Sequence, residues 1–314
     1  HILVGGESRS GKSTWLNAML VALLSTYTAS ELRVALIDPK GVEFTPFSGI
    51  PHLVKPVAIT PHQASAVLNW LVTEMDARRE LFAGVYARNL VTYNERAPKH
   101  GASPLPLTLV VIDEVSDIAL QCGLSSAFYK NLIRLSSKGA AFGLILILAT
   151  QNPKAEVLNT LIRGNMSTRI AFRVSSAEHS RTILGRGGAQ ELPRTVRGRM
   201  LARLDDAMVR LQGFHVPDDR VLAVARRWVE RSQPGLTPTE RALVAYALDE
   251  LDGAFPIGRL YEQFKGQISH RQLVKLGRRW EGRGWLTTPS SVVEPRRATE
   301  ALRNAFLGDA PPDA

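Results

Sequence analysis

Ten residues near the start of the chain, Gly5-Gly6-Glu7-Ser8-Arg9-Ser10-Gly11-Lys12-Ser13-Thr14, constrain it more than any other stretch. From Gly6 they read G-x-x-x-x-G-K-S, between the apolar Ile2-Leu3-Val4 and an apolar-periodic run from Trp15 to Leu24. Strand before and helix after is the context in which this pattern is a phosphate-binding P-loop. Glycine lets the backbone wrap a phosphate with no Cβ in the way, so the N–H groups from Gly6 through Glu7, Ser8, Arg9, Ser10 and Gly11 can point inward. A helix starting near Lys12 adds its positive end. Lys12 then bridges the β- and γ-phosphates of ATP, and the Ser13 hydroxyl, with Thr14 beside it, sits on Mg²⁺.

At 314 residues the chain exceeds what one hydrophobic core usually holds, so one large domain plus a small one is expected. A hydrophobic share of 45% with 22% charged residues fits an ordinary globular protein and excludes a disordered or membrane-embedded chain. Thirty-nine Lys and Arg against 29 acidic residues give a net charge of +10, which favours a polyanionic partner. Cys122 is the one cysteine, so neither an intrachain disulfide nor a Cys/His metal framework can form, and a reducing, cytoplasmic setting is expected. The apolar run from Gly143 to Ala149 is strand-sized, far short of a membrane span. The chain starts almost on the P-loop strand, so residues are expected upstream, where a membrane anchor or linker could sit.

Leu32 to Asp38 is β-rich and ends in a turn at Asp38-Pro39-Lys40-Gly41, at the carboxyl edge where α/β sheets bind ligands. Leu53 to Ile59 reads as a short, proline-interrupted strand. A helix is expected from Pro61, capped by Thr60, to about Arg88. Its apolar face is Ala64, Val67, Leu68, Leu71, Met75 and Leu81, with Arg78, Arg79 and Glu80 opposite. Ala97 to Pro106 reads as a loop. The continuous apolar run Leu107 to Ile112 reads as a strand buried on both faces, ending in Asp113-Glu114. Beside a P-loop, Asp113 is placed to hold the Mg²⁺ shell and Glu114 to orient and deprotonate the attacking water. Ser125 to Lys138 reads as a helix stopped by Gly139. Leu144 to Ala149 is a second buried strand, and Thr150 and Gln151 at its end could sense the γ-phosphate. A further strand, Thr168 to Val174, precedes a helix over Ala177 to Leu184.

These landmarks, in this order, resemble the FtsK/SpoIIIE family of DNA translocases in the HerA/FtsK branch of RecA-like P-loop ATPases. The resemblance runs over roughly residues 2 to 230. It is carried by Ile37-Asp38-Pro39-Lys40, Gly49-Ile50-Pro51-His52-Leu53, Arg88-Asn89-Leu90 with Tyr93-Asn94, Ile112-Asp113-Glu114, Leu148-Ala149-Thr150-Gln151, Thr168-Arg169-Ile170-Ala171-Phe172, and Ser175-Ser176 with Ser180-Arg181-Thr182-Ile183-Leu184. It implies an α/β RecA-like sheet with helices on both faces. It also implies a homohexamer around double-stranded DNA, with ATP at each subunit interface and an arginine from the neighbouring subunit completing each site. Arg181 is the first candidate for that arginine and Arg169 the second. Family members often carry arginine after the Thr-Gln pair, where this chain has Asn152. From Arg181 to Arg203, six arginines stand against Glu191 alone, with glycines at 185, 187 and 188 that suggest a mobile loop, and the stretch reads as a DNA-gripping face or a solvated basic face.

Residues 1–232 are thus expected to form the ATPase domain, 233–238 a linker, 239–307 a winged-helix domain and 308–314 a tail. Thr237 caps a helix over Thr239 to Leu251; further helical patterns run from Ile257 to Phe264 and from Ser269 to Arg283. Two short β-like pieces follow, at Gly284 to Thr288 and Ser291 to Glu294. The third helix carries His270, Arg271, Lys275, Arg278 and Arg279 opposite Leu273, Leu276 and Trp280, as a DNA recognition helix would. The leading expectation is an ATP-driven double-stranded DNA translocase in chromosome segregation, or in DNA transfer by conjugation or a mobile element. The alternatives are a protein-secretion ATPase of the same family and a DNA-binding regulator with a degenerate motor.

Overall fold

A computed structural model describes residues 1–204, 207–232, 236–289, 291 and 294–308. The chain divides into two compact units, His1–Glu230 and Arg231–Ala314.

In the first unit apolar runs alternate with helical periods. In order they form β1 (Ile2–Gly5), α1 (Lys12–Thr26), β2 (Leu32–Ile37), α2 (Pro61–Gly84), α3 (Leu90–Arg96), β3 (Leu107–Ile112), α4 (Val115–Cys122) and α5 (Ala127–Lys138). Then come β4 (Leu144–Thr150), α6 (Thr160–Gly164), β5 (Thr168–Phe172), α7 (Ala177–Leu184), β6 (Arg199–Leu204), β7 (Ala207–Gln212) and α8 (Asp218–Ser232). The seven strands form one sheet in the order β2-β3-β4-β1-β5-β6-β7. The first five are parallel, and β6 and β7 add an antiparallel hairpin. Parallel neighbours need crossovers, and the crossover helices cover both faces. Leu3, Ile37, Val110 and Leu148 pack on one face with Leu68, Phe128 and Leu132. Val4, Leu36, Val111 and Ile147 pack on the other with Leu16 and Leu20 of α1 and Val221 and Val224 of α8. The burial on both faces expected of the continuous apolar runs is therefore met by a two-faced core. Because β1 lies between β4 and β5, its P-loop emerges at the middle of the sheet's carboxyl edge.

Several expectations change. Thr60 does cap α2, through a capping box with Gln63, but the helix ends at Gly84 rather than near Arg88. Its apolar face continues from Met75 through Arg78 to Phe82, so Arg78 is buried and Leu81 is 46% exposed. The Arg78 guanidinium donates to the carbonyls of Pro106 and Phe142, both at 2.9 Å, and pairs with Glu74 at 2.8 Å. Satisfied in this way, a buried arginine clamps two loops. The strand expected over Leu53 to Ile59 is reduced to two parallel bridges, Val34 with Leu53 and Ile37 with Ala58, because Pro56 between them has no N–H to donate. The Arg181–Arg203 stretch is not one loose loop. Ser180 Oγ donates to Arg186 O at 2.8 Å and accepts from Ala189 N at 3.1 Å, folding the glycine turn back on α7 before β6 begins.

The second unit contains α9 (Pro238–Asp249), β8 (Ala254–Phe255), α10 (Ile257–Gln263), α11 (His270–Gly282), β9 (Arg296–Arg297) and α12 (Glu300–Gly308). Capping boxes at Thr237 with Glu240 and at Ser269 with Gln272 fix the starts of α9 and α11. Leu243, Val244, Leu260, Leu273, Leu276 and Trp280 form its core. The predicted β piece at 284–288 survives as a bridge from Leu286 to Ala298. The second falls later than expected, since Arg296–Arg297 pair with Ala254–Phe255 while Ser291 and Glu294 lie in bends. Residues 292 and 293 of that piece, residue 290 before it, 233–235 of the expected linker and 309–314 of the expected tail lie outside the described residues. No helix among the described residues is long and apolar enough to cross a membrane.

One buried histidine ties the P-loop helix to α8. His52 is fully buried and edge-on to Trp228 at 4.5 Å, and its Nε2 lies 3.0 Å from Tyr27 O. Trp228 Nε1 donates to Leu24 O at 2.6 Å. Burial pushes the His52 pKa down, opposed by the Tyr27 carbonyl and reinforced by the Arg33 charge. The folded pKa lies below the unfolded one, so the unfolded chain binds more protons between them and stability falls with acidification through that window. Thermal unfolding from about pH 7.5 to 5.5, spanning the ordinary histidine pKa, is expected to show this loss. His52→Gln should flatten the slope while lowering stability at the upper pH.

Candidate nucleotide site

Backbone hydrogen bonds anchor the start of the P-loop. Gly6 N donates to Thr150 O at 3.1 Å and Glu7 N to Arg173 O at 2.8 Å, pinning the loop to the ends of β4 and β5. A Cβ on Gly6 would come within 2.6 Å of Ser10 Oγ and 2.8 Å of Phe172 Cβ. Gly11 has φ +104°, and a Cβ there would lie 2.6 Å from Gly198 N. Ser10 is buried, and its carbonyl accepts from that same Gly198 N at 2.9 Å. Ser8 and Arg9 are exposed at the apex of the loop, and Ser13 and Thr14 are half-buried in the first turn of α1.

Strand register brings the carboxylates to this loop. Gly5 lies level with Thr150 across β1 and β4, and Ile112 level with Leu148 across β3 and β4. The residues after Ile112 therefore emerge beside Ala149 and Thr150. Lys12 Nζ donates to Asp113 Oδ1 in an ion pair whose side chains are 2% and 0% exposed. Asp113 Oδ2 is buried and has no hydrogen-bond partner. Glu114 has a left-handed backbone, φ +56°, which turns the chain into α4. Its carboxylate accepts from the Thr150 hydroxyl at 2.7 Å and from Gln151 N at 2.9 and 3.1 Å. Thr150 has one hydroxyl proton, given to Glu114, so Ser116 Oγ at 3.1 Å and Asn152 N at 3.1 Å are its donors. The Gln151 side chain accepts from Ser8 Oγ at 2.7 Å, closing a ring from β4 back to the P-loop.

A cavity of about 420 Å³ opens in front of the loop, lined on one side by Ser8, Arg9, Lys12, Ser13 and Gln151. Its other wall was not foreseen from sequence: Trp15, Glu43, Gly198, Gln212, Gly213, Phe214 and His215. Phe214 is 86% exposed, so an aromatic ring stands free at the cavity. The Gly213 that ends the β7 run was a legible turn signal. Lys40 is a second residue to which sequence reading assigned no role: its Nζ lies 4.0 Å from Glu114 Oε2. Buried Asp38 holds that turn, accepting from the backbone N of Lys40, Glu43 and Phe44 at 3.1, 2.7 and 3.1 Å.

The two candidate arginines differ. Arg181 is exposed on α7, and its side chain makes no hydrogen bond or ion pair among the described residues. Arg169 donates to the carbonyls of Arg163 and Met166, the latter at 3.2 Å. Burial, then the nearby Arg203 and Arg163 charges, lower its pKa. In the second unit Arg271, Lys275 and Arg278 are exposed along α11, whereas Arg279 is paired with Glu240 of α9.

Gly11→Ala should destabilise the first unit by about 2 kcal/mol or more, read by urea unfolding, since it combines left-handed strain with a backbone clash. Thr150→Val, which leaves the Glu114 carboxylate with one donor fewer, should cost about 1–3 kcal/mol in the same measurement.

The chain matches the FtsK/SpoIIIE family over residues 1–215. It is 36% identical over 248 residues to DNA translocase FtsK of Mycobacterium tuberculosis, covering 76% of this chain and 30% of that protein. It is 40% identical over 229 residues to DNA translocase FtsK of Streptococcus agalactiae serotype V, covering 70% and 28%. The chain thus spans less than a third of the length of these curated relatives. Among solved structures, the pCW3 conjugation coupling protein TcpA with ATPγS matches with TM-score 0.61 and 27% identity, over 72% of this chain and 64% of that one. The cytoplasmic domain of the Thermomonospora curvata type VII secretion ATPase EccC matches with TM-score 0.64 and 26% identity, over 73% and 28%. With a RecA-like P-loop ATPase sheet, a strand-end Asp-Glu pair beside the loop and this breadth of identity, the chain belongs to the FtsK/SpoIIIE family.

Proposed function

We propose that the chain is the motor portion of an ATP-driven double-stranded DNA translocase, working as a homohexameric ring. One observation carries this reading: Lys12, Asp113, Glu114 and Thr150 converge on one P-loop in a chain 36–40% identical to proteins named DNA translocase FtsK. ATP lays its phosphates on the loop N–H groups and on Lys12. Mg²⁺ suits the Ser13 hydroxyl and the partnerless Oδ2 of Asp113, where it supplies charge neutralisation on the phosphates. Glu114, fixed by Thr150 and Gln151, orients the attacking water and takes its proton. Thr150 and Gln151 sense the γ-phosphate, through the Ser8 contact of the Gln151 side chain.

We assign the neighbour's arginine to Arg181, whose free, exposed side chain can reach another subunit, rather than to Arg169, whose donors are already used. The second unit we read as a winged helix, its β8–β9 pairing and Leu286–Ala298 bridge forming the small sheet and α11 the recognition helix. Arg271, Lys275 and Arg278 then face DNA phosphates and bases, while Arg279 braces α11 against α9. The process served is chromosome segregation, or DNA transfer by conjugation or a mobile element. A protein-secretion ATPase is the second reading, favoured by the likeness to EccC at 26% identity, which is weaker than the 36–40% to DNA translocases.

Steady-state ATPase with and without long double-stranded DNA tests this. DNA should stimulate turnover, and added salt should weaken the stimulation as phosphate contacts are screened. Lys12→Ala should abolish hydrolysis, and Glu114→Gln should slow it by about 10²-fold or more. Turnover indifferent to DNA but raised by a peptide would overturn the reading in favour of protein export.

A further inference from the structure

The P-loop carries one cation that none of these steps uses. Arg9, at the fourth position of the G-x-x-x-x-G-K-S run, has φ +64°, a left-handed backbone that glycine adopts at no cost and other residues adopt under strain. Its side chain is exposed and makes no hydrogen bond or ion pair among the described residues. The carboxylate nearest in sequence, Glu7, is claimed by Arg173 at 3.0 Å and faced by Arg194 at 3.9 Å. Arg9 also lines two cavities: the nucleotide cavity and an adjoining one of about 550 Å³ on the other side of the loop.

We propose that the Arg9 guanidinium contacts the terminal phosphate of ATP from within its own subunit and so makes the site distinguish ATP from ADP. The inference rests on the site being an ATP site. The charge arithmetic favours it. The terminal phosphate brings about two negative charges, while Lys12 is shared with the buried Asp113. Two other arginines near the loop are committed, Arg173 to Glu7 and to the Gln190 carbonyl at 2.8 Å and Arg169 to carbonyls behind β5. Arg197, which also lines both cavities, belongs to the segment before β6 and not to the loop. Arg181 lines neither cavity. A guanidinium presents paired donors that match a phosphate's oxygens, and one at the loop apex needs only a side-chain rotation to reach the cavity. A strained residue at a ligand loop persists when its side chain returns something for the strain. Here that return is a contact made with the phosphate ADP lacks.

The test measures affinities of the full chain for ATPγS and for ADP, each with Mg²⁺, together with thermal unfolding. In Arg9→Gly, ATPγS affinity should fall about tenfold or more while ADP affinity stays within about twofold. The melting temperature should hold or rise, since glycine relieves the left-handed strain. Arg9→Gln keeps the strained backbone and must reproduce the selective loss, which separates the missing charge from a loosened loop. Arg9→Lys should recover part of the ATPγS affinity. Parallel weakening of both nucleotides in Arg9→Gln, or no change in either, overturns the role of Arg9 and leaves the ATP site standing. A wild-type chain that binds neither nucleotide removes the ATP site itself, and this inference with it.

Discussion

The buried pair between Lys12 and Asp113 is the constraint around which the first unit is arranged. Two charges taken out of water at the edge of a sheet cost several kcal/mol each before their attraction offsets it, and removing either partner leaves the other stranded. The pairing therefore demands that the first residue of α1 and the first residue after β3 meet. That happens only with β1 and β3 both beside β4 in the observed register. Each member of the pair also keeps capacity in reserve: Lys12 has further N–H donors and Asp113 a free buried oxygen. In our reading that reserve is what an incoming nucleotide and its metal use, so the fold's costliest contact and its binding site are the same pair of residues.

Next to it the hydrogen-bond accounting leaves Glu114 little freedom. Both of its oxygens accept from groups rooted in β4, and the Thr150 hydroxyl is itself fixed by Ser116 and Asn152. The left-handed backbone at Glu114 is local strain that this network over-determines. Lys40 approaches from a different turn, organised by Asp38, so groups from the ends of β2, β3 and β4 bear on one carboxylate.

What could be read from sequence follows from how local each signal is. The P-loop, the buried runs of β3 and β4 and the caps at Thr60 and Thr237 are fixed by a few neighbouring residues, and they stand where expected. Arg78 was misplaced because its charge suggested solvent; the satisfying carbonyls at 106 and 142 are remote in sequence. Asn89 caps a short α3, a stretch noted in the sequence only as a family motif and given no element. The β6–β7 hairpin escaped notice because its strands carry arginines and a broken apolar alternation, β7 is largely exposed, and its place is set by pairing with β5. With the hairpin went the far wall of the nucleotide cavity. The Gly49-Ile50-Pro51-His52-Leu53 motif was legible as a family mark, yet its physical content, a histidine seated against Trp228, needed the fold.

That hairpin has a thermodynamic corollary. Gly198, at its start, meets the P-loop through its N–H to Ser10 O and the close approach to Gly11, and Gly213, at its end, is bonded back to Gly198 O at 2.9 Å. A ligand held between loop and hairpin has its binding energy shared with the docking of a sheet edge. By linkage, whatever pulls on that edge must alter nucleotide affinity, and nucleotide occupancy must stiffen the edge by an equal free energy. An outer pair of strands, added beyond the five parallel ones, is thus a lever on the centre of the sheet.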